Sequence, residues 1–227
     1  MTTTDIGLVL FCRRPAPGVG KQRLAAGIGA GPAAEAAELL LATALEDLDA
    51  WPGPVALAPA DAADCDWATT LLPRPVAVVA QPAGNLGERL NAVDRQLRAR
   101  GARRLLYIGS DAPELRPEDY ELARIAMDAA DVVLGPAIDG GVTLMGANAA
   151  WPALGELPWS TDQLGDALAK LCAGDGRRIE RIVPRGDVDV ADDLERAARL
   201  LNKDPRPARQ RLVRWWQATR PHRDAAS

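Results

Sequence analysis

The amino-acid sequence predicts an α/β domain: a mainly parallel sheet in a single-domain, three-layer α/β/α arrangement. Three observations point there. Short continuous apolar runs, such as Ile6–Phe11 (IGLVLF) and Val76–Ala80 (VAVVA), suit strands buried on both faces. Segments with apolar residues at helical spacing, such as Glu35–Leu48, lie between them. The two kinds alternate along the chain, as a parallel sheet with helical crossovers requires.

Taken in order, the first strand, Ile6–Phe11, runs into a Pro/Gly loop from Arg13 to Gly20. The helix Glu35–Leu48 is rich in Ala, Leu and Glu, all strong helix formers. Val55–Ala58 follows a Pro-Gly-Pro turn as a short strand, and Val76–Ala80 is a further strand of the buried type. A helix over Gly87–Arg100 sets Leu90, Val93 and Leu97 on one face and stops at Gly101. Arg104–Ile108 is a strand, and Pro117, favoured in a first turn, opens a helix to about Ala129. Asp131–Leu134 and Val142–Gly146 read as strands about an Asp-Gly-Gly turn. Thr161–Cys172 reads as a helix capped by Ser160 or Thr161, Ile179–Val183 as a strand, and Ala191–Leu201 as a helix. Pro205 and Pro207 interrupt it before a last short helix near Arg209–Ala218, where Trp215-Trp216 is expected to pack back on the domain. No linker or internal repeat divides the chain, so residues 1–202 read as one domain and 203–227 as a basic tail.

Composition narrows the chemistry. The 227 residues include a single histidine, His222, and three lysines (Lys21, Lys170, Lys203) among 27 basic residues. A serine- or cysteine-histidine machine would need that one histidine, and a histidine-rich zinc site is not available. Cys12, Cys65 and Cys172 are far apart, which suggests a reduced chain without a disulfide framework. A net charge of −4 argues against a general nucleic-acid binder. No apolar run approaches a membrane span and the first residues carry no basic segment, so a soluble, cytoplasmic protein is expected. A homodimer is left open.

In an open α/β sheet, ligands gather outside the carboxyl ends of the strands, so the strand-end loops carry the candidates. The first is CRRPAPGVGKQRL, Cys12–Leu24, in which Gly18 and Gly20 permit tight turns beside Lys21 and Arg23. It suits a di- or triphosphate, with backbone N–H groups on the oxygens and cations offsetting charge. Cys12 has no histidine partner and reads as a packing residue. In the second loop, Gly84 and Gly87 bracket a turn into a helix that begins Glu88-Arg89. In the third, Gly109–Pro113, Asp111 stands at a strand tip, where a carboxylate needs a partner or a metal. The fourth is Asp139-Gly140-Gly141, equally readable as a hairpin turn. The fifth contains Asp187 and Asp189, which alternate onto one face, so either could join Asp111 on a divalent cation. An acid at 192 or 193 then starts the next helix.

Six motifs occur in order: P-G-x-x-K-x-R-L at Pro17–Leu24, G-x-L-G-E-R-L at Gly84–Leu90, G-S-D-x-P at Gly109–Pro113, D-G-G at Asp139–Gly141, P-W-S-T at Pro158–Thr161 and D-V-D-x-x-x-D-L at Asp187–Leu194. Together they resemble a bacterial family of GT-A-fold transferases, labelled arsenosugar-biosynthesis-type glycosyltransferases or nucleotide-diphospho-sugar transferases. The resemblance implies a Rossmann-like GT-A fold over residues 1–202. It implies a nucleotide site at Pro17, Gly18, Lys21, Arg23, Gly84, Gly87 and Arg89. Mg²⁺ or Mn²⁺ would be held by Asp111 with Asp189 or Asp187, and Asp111 and Asp139 would be catalytic. The acceptor side would comprise Gly140, Gly141, Trp159, Ser160 and Thr161. Two departures fall near that side: the usual pair of tyrosines after Asp-Gly-Gly is Val142-Thr143, and the usual Cys after G-S-D is Ala112.

The expectation is a metal-dependent glycosyltransferase-like enzyme that joins a nucleotide-sugar to a small-molecule acceptor. A guanylyl- or cytidylyl-type nucleotidyltransferase, passing NMP from an NTP to a phosphorylated acceptor, is the alternative. An inactive nucleotide-binding partner protein is the third reading.

Overall fold

The computed structural model describes residues 4–220, so the reading of His222 as a tail residue lies outside the described residues. Seven strands form one sheet: β1 (Gly7–Cys12), β2 (Val55–Pro59), β3 (Ala77–Val78), β4 (Leu105–Gly109), β5 (Val132–Pro136), β6 (Val142–Ala147) and β7 (Ile179–Arg181), in the order β3-β2-β1-β4-β6-β5-β7. All pairings are parallel except those of β6, which runs antiparallel to β4 and β5. The α-helices among the described residues are α1 (Gln22–Ile28), α2 (Ala30–Ala50), α3 (Cys65–Thr69), α4 (Leu86–Ala99), α5 (Pro117–Ala129), α6 (Leu164–Gly174), α7 (Ala191–Leu201) and α8 (Pro207–Thr219).

Alternation along the strands divides the core. Leu8, Leu10, Leu57, Leu106 and Ile108 face α2, α3 and α5, while Val9, Ala56, Tyr107, Leu134 and Met145 face α4 and α6. Three consecutive residues of β1, Leu8 to Leu10, are fully buried, each contributing about 1.5–3 kcal/mol. This is the expected three-layer α/β/α arrangement. A third apolar cluster joins α1, α2, α7 and α8 outside the sheet layers. Trp216 is buried there, donating from Nε1 to Glu195, and Trp215 donates to Glu35.

Several sequence expectations need correction. Val76–Ala80 is not a fully buried strand: only two residues pair, both half-buried at the sheet edge. Ser160 and Thr161 do not cap α6. Ser160 has φ +64°, the chain makes a further turn, and Gln163 is the N-cap. Helices α1 and α3 are additional to the sequence reading; each has seven residues or fewer, too short for a periodic apolar face.

The order of the strands positions the site. From β1 the sheet grows to β2 on one side and β4 on the other, which makes the carboxyl edge between β1 and β4 a topological switch point. Because β6 is antiparallel, its first residues and the 137–141 hairpin reach that same edge. Residues 185–189 reach it too, since Arg185 bridges to Ala137 and Val188 N–H donates to Asp111 O.

Candidate functional site

The convergent loops surround an open cleft with two adjoining lobes of about 440 and 500 Å³, which share Phe11, Arg23, Leu86, Gly109, Asp111 and Asp189. The smaller lobe is bordered by the loop after β1 and by Gln81 and Arg89. The larger is bordered by the start of β6, residues 159–162 and the aspartates.

Lys21 links the lobes. Its backbone is left-handed (φ +50°, ψ +34°), a conformation that costs a non-glycine residue roughly 1 kcal/mol or more. Positive φ at Gly18 and Gly20 brings the loop to that point, and α1 begins at the next residue. The side chain is 11% exposed; Nζ donates to Val188 O at 2.5 Å and lies 2.8 Å from Asp111 Oδ2 and 3.9 Å from Asp189 Oδ1. Arg23, 67% exposed, donates to Asp189 Oδ2 at 2.7 Å.

Asp139, Asp187 and Asp189 converge, each presenting a carboxylate oxygen within 4.8 Å of the others. Burial, reinforced by the charges of Asp139, Asp189 and Asp111, pushes the Asp187 carboxyl up to about 6. The expected set is thus rearranged. Asp111 pairs with Lys21 and accepts from Ser110, while Asp139 completes the cluster with both members of the 187/189 pair. The hairpin reading of Asp139 also holds locally, for its Oδ1 accepts from Gly141 N–H at 3.0 Å. Three hard oxygen donors so close together fit a divalent cation such as Mg²⁺ or Mn²⁺ in their chemistry.

Other expected residues have local duties. Gly84, at φ +119°, leaves room for the Glu88 carboxylate, which closes a capping box with Asn85. A Cβ at Gly87 would strike the Leu154 carbonyl and the Trp159 indole. Neither glycine lines the cleft, whereas Arg89, donating from Nε to Gly84 O, does. Pro17 and Gly18 stand at the exposed loop tip outside the lining, which Gly20 and Lys21 enter instead. Gly140 packs against the Asp162 carbonyl, and only Gly141 of that pair borders the larger lobe, with Trp159, Ser160 and Thr161.

The anchors of these loops escaped the sequence reading. Buried Glu114 accepts from Gly186 N–H at 2.9 Å and from Arg196 Nε at 3.2 Å; Arg196 in turn donates to Asp187 O. Arg185 grips Asp119 through two bonds of 2.7 Å. These contacts fasten the Asp187–Asp189 segment to the loop after β4. Their partners are 66 or more positions apart along the chain, except for Arg196 and Asp187. Arg13, Arg14, Gln81 and Asp162 were also not singled out, although all four line the cleft.

Cys12 is buried, and burial, followed by the Asp64 charge, pushes its thiol up to about 12. Iodoacetamide labelling of native protein at pH 8, mapped by mass spectrometry, should therefore modify half-buried Cys65 while Cys12 and Cys172 stay protected until unfolding. Fast labelling of Cys12 would contradict the packing role.

The fold is that of nucleotide-diphospho-sugar transferases and nucleotidyltransferases. A crystal structure of a "putative nucleotide-diphospho-sugar transferase" from Desulfovibrio desulfuricans G20 superposes with a TM-score of 0.86 at 22% identity, covering 96% of this chain and 97% of that one. CMP:2-keto-3-deoxy-manno-octonic acid synthetase complexed with CTP matches at TM-score 0.53 and 15% identity, over 88% of this chain and 100% of that one. Rv0371c from Mycobacterium tuberculosis H37Rv matches at 0.55 and 19%, over 86% and 98%. The chain belongs to the family described as "Uncharacterized protein conserved in bacteria (DUF2064)", which matches residues 41–161. A search of curated proteins finds no match. No helix among the described residues is long and apolar enough to cross a membrane.

Proposed function

We propose that this chain is a metal-dependent transferase that uses a nucleotide-sugar donor and a small-molecule acceptor. The observation that carries the reading is the division of charge along the cleft. Arg13, Arg14, Lys21 and Arg89 border the smaller lobe alone, Asp139, Asp162 and Asp187 the larger alone, and Arg23, Asp111 and Asp189 both. A donor diphosphate fits the first lobe with its sugar directed towards the second. A nucleotidyltransferase needs cations on both sides, because its acceptor is itself phosphorylated. Only Arg23 supplies positive charge to the larger lobe, and it is already paired with Asp189.

In this reading Asp187 and Asp189 hold Mg²⁺ or Mn²⁺, which needs only one or two carboxylates when substrate phosphates complete its shell. The bound cation would neutralise charge growing on the departing diphosphate. Lys21 and Arg23 add to that stabilisation, and the ion pair with Asp111 holds Lys21 in place. Asp139, the exposed member of the acidic group, takes the proton shed by the acceptor.

Incubation with Mn²⁺ and panels of nucleotide-sugars and NTPs tests the class. Release of nucleoside diphosphate from a nucleotide-sugar is expected; pyrophosphate release from an NTP would reject the reading in favour of the nucleotidyltransferase, and binding without turnover in either panel would favour the inactive partner.

Lys21→Gly tests the phosphate role without disturbing the backbone, because glycine prefers the left-handed conformation that Lys21 must tolerate. Nucleotide affinity should fall by about 1–3 kcal/mol, roughly five- to a hundred-and-fifty-fold. Undiminished affinity would return the loop to a merely structural role.

A further inference from the structure

We infer that the acceptor bound in the larger lobe is an alcohol with an apolar, aryl or alkyl body, neutral or cationic, and that phosphorylated acceptors are excluded. The inference rests on the nucleotide-sugar reading and deepens it by naming the acceptor's chemistry.

The lobe, about 500 Å³, is large enough for a compact organic molecule. Phe11, Leu86, Val142 and Trp159, each half-buried or exposed, give it a carbon surface beside the aspartates, and several polar groups next to that surface are already engaged. Tyr107 donates its hydroxyl to Asp94 Oδ1 at 2.5 Å. Trp159 donates its indole N–H to Leu154 O at 2.8 Å, and Thr143 donates to Gly135 O at 3.2 Å. Fixed by its bond, the half-buried Trp159 ring presents carbon rather than a hydrogen-bonding group. Leu90, Tyr107 and Met145 form the buried layer that it packs against. A hydrocarbon body packs against this carbon without loss, whereas hydroxyls set against it would go unpaired.

The rim selects for charge. Five aspartates border the lobe against one arginine. A divalent cation and the donor diphosphate largely cancel each other, so the remaining carboxylates set the field felt by the acceptor. An amine is drawn in and a phosphate repelled. In the transfer, the acceptor oxygen forms a bond to the anomeric carbon. The bond from that carbon to the diphosphate oxygen breaks, its electron pair leaves with the diphosphate, and the hydroxyl proton passes to Asp139.

Three matched probes test this by saturation-transfer NMR on the full chain with Mg²⁺ and a nucleoside diphosphate: 2-phenylethanol, 2-phenylethylamine and 2-phenylethyl phosphate. The alcohol and amine should bind, and Val142→Trp, which fills the lobe from the start of β6, should abolish their signal. The phosphate's Val142→Trp-sensitive binding should be about tenfold or more weaker. Asp162→Lys, a rim substitution on an exposed residue, should narrow that gap, and it decides the matter if the tryptophan variant does not fold. Absent aryl binding, signal unmoved by either variant, or a phosphate that binds at least as well as the alcohol would each overturn the inference. Nucleoside diphosphate affinity, measured on the same samples, separates the two levels. If it is intact while the aryl probes fail, only the acceptor inference falls; if it is absent, the nucleotide-sugar reading falls.

Discussion

Asp187→Asn is expected to cut metal-dependent turnover at least about a hundredfold and yet to raise the melting temperature of the metal-free protein at neutral pH. Asp187 is a carboxylate pressed against two others and removed from water, and its ionisation in the folded chain is pushed up to about 6. In the unfolded chain it ionises near the ordinary value of 3.8. An acid with a raised folded value favours folding fully only below the unfolded value, and that contribution disappears as pH rises through the folded one. Above about pH 6 the charged side chain is a net cost to the folded state. Asparagine has no charge to bury, so its advantage should be complete above about 6 and absent below about 4. Each kcal/mol released raises the midpoint by about 2–4 °C in a chain of this size. Added Mn²⁺ should stabilise the wild type and leave the variant unmoved. A variant that melts lower than the wild type at pH 7.5, or that still responds to Mn²⁺, would contradict the role.

Arg209→Ala should destabilise the protein by about 3–5 kcal/mol, measured by denaturant unfolding. Arg209 is fully buried and binds Asp47 Oδ2 at 2.6 Å, Glu46 Oε2 at 3.1 Å and the carbonyls of Thr43, Pro113 and Leu115. Burial pushes the Asp47 carboxyl up, opposed by Arg209, Arg206 and the Tyr120 hydroxyl. Truncation removes the central cation and leaves Asp47, Glu46 and three buried carbonyls each short of one donor, which costs far more than the pair itself supplies. Two of those carbonyls belong to the loop that carries Asp111, so α8 also steadies the cleft. A loss below about 1 kcal/mol would mean that the segment is peripheral. Arg209→Met, which restores volume without charge, should recover little, since the buried Asp47 carboxylate still lacks the Arg209 guanidinium.

The contrast between these two sites shows what the sequence makes legible. The bounds of α5 and α7 follow from proline at the first position in one and an acidic first turn in the other, both local signals. Strands β1, β2, β4, β5 and β6 announce themselves as apolar runs because both of their faces are covered. Helix α6 was misplaced because Ser160, normally a capping residue, adopts positive φ instead, with Gly140 packed against the neighbouring Asp162 carbonyl. Lys21, Arg23, Asp111, Asp139, Asp187 and Asp189 could all be picked out, since charged groups in strand-end loops are conspicuous. How they pair could not, because sequence spacing does not reveal which acid Lys21 reaches across 90 or 168 residues. Arg209 looked like one more charge in a basic tail. Its burial depends on α8 folding back against α2, a contact with no local signature.

The central claim, a diphosphate seated among the cations of the smaller lobe and a cation on the aspartates of the larger, is met most directly by calorimetric titration of ADP, GDP, CDP, UDP and TDP into the protein with and without Mn²⁺. The account predicts that at least one nucleotide binds, that Mn²⁺ strengthens it, and that Asp187→Asn removes the Mn²⁺ effect while Lys21→Gly weakens binding in both conditions. Nucleotide affinity indifferent to Mn²⁺ and to both substitutions, or no affinity for any of the five, would contradict it.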